Sequence, residues 1–200
     1  MTAGEFRDHL TEWGLSRDEL NEIIAENPPV FSTLSGFVSE YKLRKLWLQR
    51  PEFTGLARPR SHDRKAKGDF TFAYKGRRFV IEVKSLDTPK IKRDGDGWCG
   101  TFQCNASDSR PIPLPCGGPP LKTNCLAVGG FDVLAVGLFG FGQEWRFGFA
   151  KNSDLPRSTF PKYTEDQRRY LLKSAMPICW PLKPPYSADL LAVLDSILRQ

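Results

Sequence analysis

Histidine is almost missing from this chain, with only His9 and His62 among 200 residues. Two imidazoles leave little for a histidine-ligated metal centre or an imidazole proton relay. The five cysteines include no Cys-x-x-Cys pair; Cys99, Cys104, Cys116 and Cys125 are separated by four, eleven and eight residues, spacings unlike a zinc knuckle. An odd count argues against an extracellular disulfide framework, so all five, Cys179 included, are expected as free thiols. A soluble protein of a reducing compartment, the cytoplasm, is the expectation. The most apolar stretch, Leu126 to Gly142, contains Asp132 and five glycines and falls short of a membrane span. The opening residues mix charges with isolated apolar side chains, unlike a secretory leader. The glycine patches at Gly129–Gly130 and Gly140–Gly142 lack the lysine and spacing of a phosphate loop, so no nucleoside triphosphate site is expected.

What the chain does contain is a globular composition, 40% hydrophobic and 26% charged, with a formal charge of +6. That mild basic excess suits a polyanionic partner. The length predicts one domain over residues 1–200. Within it the pattern predicts a helical extension over 1–30, a core over 33–150 with a long loop at 86–125, and a helical region over 151–200.

Residues 4–26 have a helical pattern, with Ser16 and Glu19 spaced as a capping box and Leu20, Ile23 and Ile24 as an apolar stripe. Asn27, Pro28 and Pro29 stop it. A second helix is predicted from Thr33 to Gln49, apolar on more than one face and therefore expected to be well buried. Arg58 to Gly68 is a basic loop. Strands are predicted at 69–74 and 77–84, turning at Lys75–Gly76, and again at Phe131–Phe139 and Trp145–Ala150. Helices are predicted at Thr164–Ala175 and Ser187–Leu198.

The hairpin carries the chemistry. With Lys75 and Gly76 at its turn, counting outward along both strands sets Asp69 opposite Glu82, with Cβ atoms about 5 Å apart on one face. Lys84, two residues beyond Glu82, shares that face, while Phe70 and Ile81 turn inward. Two adjacent carboxylates repel unless a positive charge stands between them. A hard divalent cation such as Mg2+, with Mn2+ as substitute, takes oxygen ligands and keeps waters for substrate. The Val83 carbonyl is a further ligand candidate. Lys84 is placed to orient or deprotonate a water, or to neutralise charge developing on a phosphate.

This arrangement resembles the PD-(D/E)XK nuclease superfamily, which includes the type II restriction endonucleases. The residues that carry the likeness are Gly68-Asp69-Phe70 and, after the hairpin, Ile81-Glu82-Val83-Lys84-Ser85. Gly68 stands where many members have proline. The resemblance implies an α/β fold with a restriction-endonuclease-like core, a central mixed β-sheet flanked by helices. It implies metal binding by Asp69 and Glu82, water activation by Lys84, and a further glutamate on the preceding helix, for which Glu40 is the candidate.

It also implies a polar residue after the Glu-x-Lys strand, and Gln103 is the first choice. Asn105, Ser107, Asp108 and Arg110 are close by and suited to base or phosphate contact. Arg60, His62, Arg64, Lys65 and Lys67 in the basic loop, with Lys151 and Arg157 further on, are candidates for nucleic-acid contact. The activity implied is Mg2+-dependent endonucleolytic cleavage of double-stranded DNA, sequence-specific and performed by a homodimer, without a membrane or a nucleotide triphosphate. The competing readings are a structure-specific or RNA-acting nuclease of the same fold and a non-catalytic binding module.

Overall fold

The structure, a computed structural model, describes residues 7–59 and 68–200. It opens with two short helices, α1 (His9–Trp13) and α2 (Arg17–Glu26), rather than one continuous helix. Gly14 at φ 65° ends the first, a left-handed cap that glycine adopts without steric cost. Ser16 and Glu19 form the expected capping box. Pro28 and Pro29 begin α3 (Pro28–Leu43) as well as closing α2, because proline is pre-shaped for a first helical turn. The chain then widens into a π-helical turn over Arg44–Leu48. Contrary to expectation, α3 is only partly covered. Ser39 and Leu43 are buried, whereas Phe31, Leu34, Phe37 and Tyr41 remain exposed.

Five strands make the main sheet: β1 (Thr54–Ala57), β2 (Phe70–Tyr74), β3 (Arg77–Ser85), and, further along the chain, a pair here named by residues, Val133–Gly137 and Phe147–Lys151. Between them in sequence come β4 (Lys92–Asp94), β5 (Gly97–Gln103), β6 (Asn105–Ile112) and β7 (Leu121–Cys125), so the pair becomes β8 and β9. The main sheet has the order β1-β2-β3-β8-β9. All its neighbours are antiparallel except β3 and β8, which run parallel. β8 is buried throughout, as an interior parallel strand should be, and its unbroken apolar run reflects that.

The stretch 86–125, expected as a loop, is thus largely strand. α4 (Glu165–Arg169) stops well short of the helix end predicted at Ala175, the chain then enters β10 (Ala175–Trp180), and it closes with α5 (Leu190–Leu198). β10, β5 and β4 form a second antiparallel sheet, and β6 pairs with β7 in a separate ribbon. The alternation in β10 is weak in sequence because only Met176 and Ile178 face the core. A helix begins where predicted, with Thr164 as its cap, but it lasts five residues before Leu171 and Leu172 plunge into the core.

The two faces of the main sheet have different covers. Phe79, Ile81 and Val83 of β3 pack with Leu43, Leu48 and the α5 residues Leu190, Leu194 and Ile197. On the opposite face Leu134 and Val136 pack with Phe102, Met176 and Ile178 of the second sheet. The result is a mixed α/β fold whose central mixed sheet is flanked by helices. Cys99 and Cys179 face each other across β5 and β10 and form a disulfide, correcting the expectation of free thiols at these two positions. Cys104, Cys116 and Cys125 are free. Among the described residues no helix is long and apolar enough to cross a membrane.

Candidate active site

The hairpin register is the one expected from its turn. Lys75 and Gly76 both have positive φ, 47° and 78°, as a two-residue hairpin turn matched to strand twist requires. Phe70 then pairs with Ile81, and the Asp69 N–H donates to the Ile81 carbonyl at 2.8 Å. Asp69 itself lies just outside β2, where the regular ladder has ended, so the pairing expected between Asp69 and Glu82 is not part of the register. Gly68 lets the chain approach β3 this closely: its φ is 67°, and a Cβ there would lie 2.5 Å from Val80 Cγ1 and 2.8 Å from the Ile81 oxygen. Proline, fixed near φ −65°, could not occupy the position.

Strand alternation places Glu82 and Lys84 beside Leu134 and Val136, on the face toward the second sheet. They are therefore sunk below the surface. Glu82 is 9% exposed, and its Oε1 lies 2.6 Å from Lys84 Nζ. The same ammonium donates to the Asn105 carbonyl at 3.1 Å, where β5 passes into β6. Asp69 Oδ2 accepts the Val83 N–H at 2.7 Å.

These contacts leave the carboxylates under-compensated. Burial, reinforced by the charge of Glu82, pushes the Asp69 carboxyl up to about 7, and the Val83 N–H and Lys84 counter only part of this. Burial also opposes the charge on Lys84, but attraction and hydrogen bonding to Glu82, with a contribution from Asp69, outweigh it and hold the ammonium above the usual lysine range. Burial likewise raises Glu40, against the pull of Arg58. Among the described residues no three His, Cys, Asp or Glu side chains form a cage for an ion. Asp69, Glu82 and the Val83 carbonyl are the oxygen donors that would hold a magnesium-like ion, one that would keep several of its waters. The residual repulsion between the two carboxylates is what such a cation would relieve.

The centre lies in an open cleft of about 540 Å3. Of the residues expected from sequence, Asp69, Glu82, Val83, Lys84, Glu40, Gln103, Ser107, Asp108 and Arg110 all line it. Asn105 joins through its backbone carbonyl. Glu40 comes from α3, one residue after Ser39, which packs so closely on β8 that a Cβ at Gly137 would lie 2.7 Å from Ser39 Oγ. Gln103 ends β5, while Ser107, Asp108 and Arg110 lie on β6.

Two candidates lie elsewhere. Lys151 pairs with Asp154 at 3.3 Å, and the Arg157 guanidinium donates to the carbonyls of Ser153 and Leu155, so neither is brought to the cleft. Arg60, His62, Arg64, Lys65 and Lys67 lie outside the described residues.

Sequence reasoning missed Arg58 as an individual residue, although it flagged the basic stretch around it. Its guanidinium pairs with Glu40 and lies 5.9 Å from the Phe37 ring centre. The partners are 18 residues apart with no local periodicity joining them, so no short-range signal could have revealed the pair. Ser32, Thr33 and Asp87, also in the cleft wall, were missed as well. Compared with family models, curated proteins and solved structures, the chain matches none of them, and its site rests on its own geometry.

Proposed function

We propose that the protein is a metal-dependent DNA endonuclease of the restriction-endonuclease-like kind, hydrolysing phosphodiester bonds with Mg2+ or Mn2+. The observation that carries the reading is the convergence of Asp69, Glu82 and Lys84 at the floor of an open cleft whose rim holds Arg58, Gln103 and Arg110.

In this reading Asp69, Glu82 and the Val83 carbonyl hold the divalent ion. When bound there, such an ion would supply Lewis acidity toward the phosphate and the activation of water. The protein's own groups do the rest. Lys84, tethered between Glu82 and the Asn105 carbonyl, sits where it can orient that water or neutralise charge developing on the phosphate. Glu40 occupies the helix side of the cleft and holds Arg58 in the cleft wall, where the guanidinium can meet a phosphate. Arg110 offers a second cation, and Gln103, Ser107 and Asp108 offer donors and acceptors for base edges. The scheme takes double-stranded DNA as substrate and a homodimer as the unit that cuts both strands.

The test incubates the purified protein with unmethylated plasmid and long linear DNA, with Mg2+, with Mn2+ and with EDTA, beside a Lys84→Ala control. Discrete metal-dependent fragments lost in the control are expected. Binding to both DNAs without metal-stimulated cleavage would remove the nuclease assignment.

A further inference from the structure

The cleft does not end at Glu82. Beyond it, under the β6–β7 ribbon, lies a second chamber of about 360 Å3, within the range of small-ligand pockets, roughly 300–1,000 Å3. Gly68, Glu82, Arg110 and Leu126 line both spaces, so the acidic centre stands at their junction. The two sides differ in chemistry. The cleft presents Arg58, Asp87 and Gln103, whereas the chamber is walled by Pro111, Ile112, Leu114, Val128, Phe131 and Tyr170.

Beyond Glu82 and Arg110 at the junction, no charged side chain among the described residues lines the chamber to hold a phosphate or a hydrated ion. A flat aromatic group suits its apolar walls. Phe131 is buried at the base, while Tyr170 is only partly covered and has ring surface to offer. Arg110, at the junction, supplies the cation that a phosphate attached to such a group would need. A fully stacked duplex lying in the cleft has no group to place in this space, because its bases face one another inside the helix.

Resting on the nuclease reading, we infer that the chamber receives the base of one nucleotide lifted out of its stack, and that the phosphodiester beside that nucleotide is the one presented to Asp69, Glu82 and Lys84. The substrate class is therefore a strand with an unpaired nucleobase at the cut. That base can be extruded from a duplex, as enzymes acting on bases commonly do, or can already be single-stranded. Tyr170 is the stacking residue. Loss of one base–aromatic stack weakens binding by about 10-fold or more.

The experiment uses the full chain and fluorescein-labelled oligonucleotides of one sequence in three forms: single-stranded, duplex with a one-nucleotide bulge, and fully paired. In each form an abasic residue is moved along the cut strand. Cleavage is followed with Mg2+ and Mn2+, and binding by fluorescence anisotropy in EDTA. Abasic substitution beside the cut is expected to lower cleavage and binding about 10-fold. Tyr170→Ala and the chamber-filling Leu114→Trp should do the same to the unmodified strand, and Tyr170→Phe should not.

Faster cleavage of the bulged and single-stranded forms assigns a pre-existing unpaired base, while equal cleavage of the paired form with the abasic effect intact assigns extrusion. Indifference to the abasic residue in the wild-type protein overturns the chamber, whatever the variants do. If no form is cut with either metal, the nuclease reading falls separately. Anisotropy then decides the chamber: preference for the intact strand upholds it, and equal binding overturns it.

Discussion

Asp69, just before β2, is tied to β3 on both sides of Glu82: its N–H donates to the Ile81 carbonyl at 2.8 Å and its Oδ2 accepts the Val83 N–H at 2.7 Å, so one carboxylate is fixed by the strand that carries the other. This coupling has a cost in pH dependence. Asp69 titrates at about 7 in the folded chain, above its ordinary value of 3.8, so the folded state keeps the proton longer than the unfolded chain does. Stability from this group is fullest below pH 4 and declines as pH rises through about 7. In EDTA, Asp69→Asn should therefore raise the melting temperature at pH 8 and change it little at pH 4. Thermal unfolding at the two values checks this, and an equal shift at both would refute it. Added Mg2+ should stabilise the wild type far more at pH 8 than at pH 5, and the Asn variant little at either.

Lys84 answers two demands with one ammonium. On the proposed nuclease reading, its removal would deprive the chemistry of a water-positioning or charge-neutralising group, a loss of about 10^2- to 10^4-fold in rate. It also leaves Glu82 buried without its partner, and breaking such a pair costs about 3–5 kcal/mol. Lys84→Ala should therefore lose activity and denaturant resistance together, whereas Lys84→Arg should recover more of the stability than of the rate. Urea titration and cleavage assays on the same preparations separate the two losses.

Gly68 is the position where the backbone sets the site. Its φ of 67° and the 2.5 Å approach of Val80 Cγ1 to a virtual Cβ make Gly68→Ala both strained and crowded. A destabilisation of about 1–3 kcal/mol is expected. Because Asp69 follows directly, metal affinity measured by calorimetry should also fall, while Gly76→Ala, where a Cβ meets nothing, should leave it unchanged.

The thiols should sort by position. Cys99 and Cys179 are joined across a separation of 80 residues, a constraint worth about 4 kcal/mol in the chain-entropy picture. Reduction should lower stability by roughly that amount and expose two more thiols to alkylation. Cys116 is exposed and should label at once in the native protein. Cys104, whose thiol burial pushes up to about 12, should resist labelling at pH 8 until the chain unfolds. Counting adducts by mass spectrometry, with and without reductant, gives the order directly.

Local rules on the sequence determined the hairpin's register from Phe70–Ile81 to the turn, and the period of two put Glu82 and Lys84 on one face. Asp69 falls just beyond that register, and its place is set by the Gly68 backbone and its bonds to Ile81 and Val83. The Ser16–Glu19 capping box, the helix start at Thr164 and the buried β8 strand were legible for the same reason as the register, since each depends on neighbours a few residues away.

Tertiary structure decided what depends on distant partners. The polar β6 reads as loop, and β10 falls in the proline-rich stretch between two predicted helices, because their strand character comes from pairing with β7 and β5. The burial expected for α3 failed because the core accepts only part of its apolar surface. The Arg58–Glu40 pair, the disulfide and the chamber beyond Glu82 likewise exist only once separate segments meet. Side-chain alternation is a property of a strand, and a sequence can state it. A cleft is a property of the space between elements, which exists only after they pack.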